Sequence, residues 1–377
     1  MKRLVFAISL ALIITQLTLP PTFGAKKEGA NCVKLNQTTI YAGFRYTCVK
    51  SGKKLLWGKG IAVPKQPQTS KTTPTPIPST TPARKSPIAP LSGLDQVASR
   101  YSDISTLAFR ASDANIRSFG TDSAKINLLV GPNSQDLAPR DYLAVHNVQK
   151  LFHGGDLPPT VDLFYYTSGD HDWAIKEMMG LLLRPEYVNS DDGPKTAIDG
   201  TAVVALKYTG VPTEYVTSGA LEAHEFFHTV QQRQFSNSKF HVWTMPRWWI
   251  EGGGRFVENL QLNNYDEKMY LIMARNRELE QFDATYFADF LDTTTVPTAG
   301  DAWANSYKYS DAVVYGVGAK IEEMLVAFKG PNTLIDFMDE VSLSGDFISS
   351  FKLTYGIAWS DFVPLAAASI YQSTRLA

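Results

Sequence analysis

The chain has 377 residues, 44% hydrophobic and 19% charged, which is ample material for a folded core and, on length alone, for two or three units. The net charge of −1 hides an asymmetry: residues 1–92 hold fourteen Lys and Arg against one acid, Glu28, whereas the other 285 residues hold 22 basic and 36 acidic residues. An acidic main part argues against nucleic acid as a partner, and two cysteines, Cys32 and Cys48, are too few for a structural zinc site.

Lys2 and Arg3 form a positive start, an apolar run follows from Leu4 to about Leu19, and Pro20 to Ala25 offers small residues for cleavage. Residues 1–25 therefore read as an export signal, with an uncleaved anchor as the alternative. No second hydrophobic stretch of spanning length follows, so the mature chain is expected outside the cytoplasmic membrane, secreted or cell-surface associated, without a stable membrane span. In such a chain Cys32 and Cys48 most economically form one disulfide. Residues 26–62 are expected to be a small β module, with strands at 44–49 and 54–57 around a turn at Ser51-Gly52. Its two cysteines and terminal Trp57 resemble the short repeats at the ends of actinobacterial exported proteins. Residues 63–92, rich in Pro, Thr, Ser and Lys, read as an extended linker whose composition permits O-glycosylation. The basic N-terminal third is attracted to anionic cell-envelope polymers or serves solubility alone.

The main domain is expected over residues 93–377. Periodicity predicts helices over 94–118 and 138–152, strands over 124–131 and 160–167, a helix over 170–183 and a strand over 201–208. Helices follow over 218–234, 248–263, 265–281, 309–328, 331–341, 345–353 and 359–372. Strands first and helices afterwards predict the α+β class.

The helix predicted over 218–234 carries His224-Glu225-Phe226-Phe227-His228. Residues four apart share a helix face, so two imidazoles one turn apart can bind one ion, and Glu225 can reach a water held there. A catalytic zinc needs a third protein ligand and an open position. Glu251, in Pro246-Arg247-Trp248-Trp249-Ile250-Glu251-Gly252, is separated from His228 by 22 residues and lies at the start of the next predicted helix. A helix-dipole charge is the alternative for Glu251, and His241 is a rival ligand set among aromatics. Gln234 stands where a third His falls in the metzincin pattern. Glu258 is either a partner for a ligand His or a surface charge. Trp248, Trp249, Tyr165 and Tyr166 read as core rather than substrate groove.

HExxH followed by a Trp-rich stretch ending in Glu-Gly resembles the gluzincin peptidases, including M1-type aminopeptidases and their smaller bacterial relatives, over roughly residues 160–370. The resemblance implies a zincin-like catalytic domain, with Zn2+ on His224, His228 and Glu251, Glu225 as general base, and a peptide or protein substrate. It also implies that Tyr315, in Tyr315-Gly316-Val317-Gly318, stabilises the oxyanion, with Tyr309 and Tyr307 as fallbacks. The Gly-Ala-Met-Glu-Asn-type exopeptidase segment is missing, so nothing marks an aminopeptidase. Gly252-Gly253-Gly254 departs from the larger residues usual after the ligand Glu, and implies either close helix approach or a looser site. A catalytically inactive zincin-fold protein that binds the envelope is the alternative function.

Overall fold

The structure, a computed structural model, describes residues 38–41, 44–59, 61–62, 93–119, 124–134, 143–180, 195–196, 203–208, 218–262, 266–295 and 299–376. The expected signal, Cys32 and the expected linker lie outside them. The chain divides into two compact units, Met1–Arg84 and Lys85–Ala377.

In the first unit β1 (Thr38–Tyr41), β2 (Phe44–Ser51) and β3 (Lys54–Trp57) form an antiparallel sheet in that order, and β4 (Ile61–Ala62) pairs with β2. Gly52, at φ 63°, makes the predicted turn between β2 and β3, a backbone region that L side chains rarely adopt. Cys48 is fully buried, is opposite Trp57 in the register, and is not a free thiol. β1 and β4 were not anticipated; at two residues β4 is too short to show a period.

The second unit is α+β and mainly helical. Its sheet runs β5 (Lys125–Val130), β6 (Thr160–Thr167), β8 (Val203–Tyr208), β7 (Lys195–Thr196), with the first three parallel and β7 an antiparallel edge. β6 is central, and its run Leu163-Phe164-Tyr165-Tyr166 is buried on both faces, as a strand flanked by parallel neighbours requires. The preceding helices are α1 (Leu94–Ser99), α2 (Ile104–Ser118), α3 (Leu143–Leu151) and α4 (His171–Gly180). The single helix expected over 94–118 is therefore two. A turn at residues 100–103 separates them, closed by the Asp103 N–H donating to the Arg100 carbonyl at 2.8 Å and by the Arg100–Asp103 ion pair at 2.8 Å.

After the sheet come α5 (Ala220–Gln234), α6 (Arg247–Gln261) and α7 (Glu267–Ala274). The helix expected to continue to residue 281 stops because Asn276 turns left-handed at φ 45° and a 3-10 turn, Arg277–Leu279, follows. Then come α8 (Ala284–Thr295) and α9 (Ala299–Ser306), which were not anticipated, and α10 (Asp311–Lys329), α11 (Asn332–Ser344), α12 (Phe347–Tyr355) and α13 (Trp359–Ser373). Trp248 and Trp249 are fully buried among Phe337, Phe347 and Trp359, so they are core as expected. Among the described residues no helix is long and apolar enough to cross a membrane.

The core of this unit is the packing of α6 against α10 on one side and α5 on the other. A Cβ on Gly252 would stand 2.7 Å from the Ala319 nitrogen and closer still to the Gly318 backbone; one on Gly254 would stand 2.6 Å from the His224 ring. The glycine run thus serves close approach on two sides of α6, which decides between the two readings left open by the sequence.

Candidate metal centre

α5 starts at Ala220 after Gly219, whose φ of 77° turns the chain into the helix. Ala220-Leu221-Glu222-Ala223 are good helix formers, and most of both faces is buried, so the helix is fixed between α3, β8 and α6. α6 starts just after Pro246, whose ring presets φ and which itself accepts the first helical bonds, from Trp249 and Ile250. These starts bring the middle of α5 alongside the first turns of α6.

His224 and His228 lie one turn apart with ring centroids 4.8 Å from each other and planes at 84°. One ligand atom from each of His224, Glu225 and His228 falls within 4.8 Å of the others. Glu251 completes the arrangement: its Oε2 lies 3.6 Å from Nε2 of His224 and 3.6 Å from Nε2 of His228. In a tetrahedral zinc site with bonds of about 2.0–2.1 Å, ligand atoms stand roughly 3.3–3.5 Å apart. Both Glu251–Nε2 separations are therefore close to what one small cation between them would set. Glu251 thus faces two imidazoles as well as lying in the first turns of α6. His241 is exposed, stacks on Trp243 at 5.7 Å and accepts a hydrogen bond from the Trp243 amide.

Both imidazoles are oriented from behind. His224 Nδ1 is 3.1 Å from Glu258 Oε2, and His228 Nδ1 is 2.8 Å from Gln231 Oε1. Each acceptor places the proton on Nδ1 and leaves the Nε2 lone pair facing Glu251. Glu258 is completely buried, with its other oxygen bonded to Arg255 at 2.7 Å, so it is no surface charge. Gln231 in turn donates to the Ile250 carbonyl at 3.0 Å, tying α5 to the start of α6.

The electrostatics favour a cation. Burial pushes the His224 imidazole down, but the carboxylates of Glu251, Glu258 and Glu225 outweigh it and lift it to about 10. His228 is raised by Glu251 and Glu225 against the same burial. Burial opposes ionisation of Glu251, yet the two imidazoles hold it well below the usual carboxylate range. A proton fills this role when no metal does. On the sheet side Glu222 accepts from the Tyr165 hydroxyl at 2.5 Å, and burial raises it to about 7. Beneath α6, Glu322 packs against Gly253 with neither oxygen hydrogen-bonded, and burial holds it well above its ordinary value.

Tyr315, on α10, stacks on the His224 ring at 5.8 Å and 24°. Burial, then the neighbouring Glu251 carboxylate, keep its phenol far above its ordinary pKa, so it remains a proton donor. The fallbacks are used elsewhere: Tyr309 donates to Asp289 at 3.0 Å, and Tyr307 lies on the Arg247 guanidinium at 4.8 Å. Gln234 is a packing residue that bonds Val230 and Asp156.

Sequence reasoning missed Gln231 and Arg247. The available signal was spacing: Gln231 is three residues after His228, and Arg247 four before Glu251, each on the face of its neighbour. No protein family, curated protein or solved structure matches this chain.

Proposed function

We propose that the chain is a zinc-dependent peptidase of gluzincin type, hydrolysing peptide bonds in a peptide or protein substrate. The observation that carries this reading is the equal 3.6 Å approach of one Glu251 oxygen to both imidazole Nε2 atoms, within reach of Glu225. His224, His228 and Glu251 would hold the ion. Zinc in such a site supplies a Lewis acid for the carbonyl and acidifies water toward a pKa of about 7.

The chain's own residues do the rest. Glu225, next in sequence to His224, takes the proton of the attacking water and returns it to the leaving amine. The Tyr315 hydroxyl donates to the oxyanion that develops on the scissile carbonyl, acting in a largely buried setting where such a bond is strong. Glu258 and Gln231 hold the imidazoles in the ligating tautomer. Phe226 and Phe227, both fully buried, keep the surroundings of the site dry. On the same reading the enzyme works outside the cytoplasmic membrane, with a Cys32–Cys48 bridge stapling an N-terminal module that meets anionic envelope polymer.

The test joins metal analysis of the purified mature chain to cleavage profiling on a broad peptide library. One zinc per chain and defined cleavage products are expected. Glu225→Gln should keep its zinc and lose about 100-fold or more in kcat. A zinc-loaded Glu225→Gln protein with wild-type activity would falsify the mechanism. Zinc without cleavage of any peptide would favour the inactive, envelope-binding reading.

A further inference from the structure

Arg247 is a buried cation close enough to Glu251 to feel its charge, and it keeps a donor to spare. It lies one turn before Glu251 on the same face of α6, a rise of about 6 Å. Its guanidinium is 5.9 Å from the ring centre of Tyr315, which itself stacks on His224. Only 8% of the residue is exposed. Nη2 bonds Asp311 at 2.7 Å, but Nη1 is buried with no hydrogen-bond partner. Arginine buried with an orphan donor is costly unless something pairs with it. Arg255, the other guanidinium beside Tyr315, is already committed to Glu258.

Two features make the group available. The Asp311 side chain is 74% exposed, so water competes for the carboxylate that pairs with Arg247, whose own side chain is only 10% exposed. The ring of Tyr307, itself 68% exposed, lies against the guanidinium at 4.8 Å, so one of the groups that cover it is a surface side chain.

We propose that Arg247 is a specificity residue that receives a carboxylate of the substrate, one or two residues from the scissile bond. The inference rests on the peptidase reading for the position of that bond. A residue advances about 3.3–3.6 Å, so a carboxylate at that remove spans the helical turn between Glu251 and Arg247. A planar guanidinium pairs with a carboxylate through parallel hydrogen bonds, and Nη1 is the donor left for that pairing. The carboxylate is either the free C-terminus of the peptide or an acidic side chain.

The experiment uses the zinc-loaded chain and matched peptide pairs: a free C-terminus against its carboxamide, and Glu against Gln at each of the two positions after the scissile bond. Wild-type kcat/KM should favour the carboxylate member of one pair by about tenfold or more, and the pair that responds identifies the source. That ratio should fall to near one in Arg247→Gln and persist in part in Arg247→Lys. In parallel, N-acetylated dipeptides with a free carboxylate or a carboxamide are titrated into the metal-free protein by calorimetry. The carboxylate should bind about tenfold tighter to wild type, and not to Arg247→Gln. Ratios near one for every pair in wild type, or ratios retained in Arg247→Gln, overturn the proposal. If no peptide is cleaved, the peptidase reading fails and the calorimetric difference alone decides for or against Arg247. If peptides are cleaved without preference, only the Arg247 assignment falls.

Discussion

Gly252→Ala separates local propensity from tertiary packing, because the two predict opposite signs. In an isolated helix the substitution gains about 1 kcal/mol. In this protein the new Cβ would stand 2.7 Å from Ala319 N, where ordinary contact begins at 3.4 Å. α6 and α10 would have to part by at least 0.7 Å along that line. The atoms in the way are backbone of Gly318 and Ala319, which no rotamer change can move. Overpacking of a tight core costs about 1–3 kcal/mol, and the backbone origin of this clash puts it toward the upper end. The net expectation is a loss of about 1–2 kcal/mol, or roughly 2–8 °C in Tm for a domain of this size. Urea denaturation followed by tryptophan fluorescence measures it, since Trp248 and Trp249 are buried on the same helix. A midpoint equal to or above that of the wild type would refute the α6–α10 contact and the explanation of the glycine run with it.

Glu258→Ala should weaken zinc binding by about 10- to 100-fold, because His224 loses the acceptor that fixes its tautomer; competition with a chromophoric chelator reads this directly, and affinity within twofold of wild type in a folded variant contradicts the role. The pH dependence of the metal-free chain follows from His224, whose folded pKa of about 10 stands above its ordinary 6.5. The raised value means that pairing with the carboxylates stabilises the fold fully below pH 6.5 and that this contribution is lost as pH rises toward 10. Metal-free protein should therefore lose Tm between pH 7 and 9, whereas saturating zinc, which replaces the proton, should remove that fall; scanning calorimetry with and without zinc tests it, and parallel pH profiles would count against the shared cation site.

The chain by itself determined the parts of this protein that depend on short spacing. A run rich in Val, Phe and Tyr placed β6 at Thr160–Thr167 to the residue, and the four-residue interval put His224 and His228 on one face of α5. The Glu251-Gly252 segment was legible as one that comes up to the two imidazoles, and the α+β class followed from the order of strands and helices. What only the tertiary structure decided depends on partners distant in sequence. The break at Asn276 and the glycine run answer to α10, through contacts of Gly316 and Gly318 that no local window contains. α8 and α9 were hidden by a Thr-rich stretch with poor helix propensity, and packing against α13 and α6 overrides it. Glu258 became a partner of His224, and Arg247 a buried cation with a spare donor, because the close crossing of α5, α6 and α10 removes both from water. Desolvation is a property of that crossing, and it turns ordinary surface residue types into parts of a site.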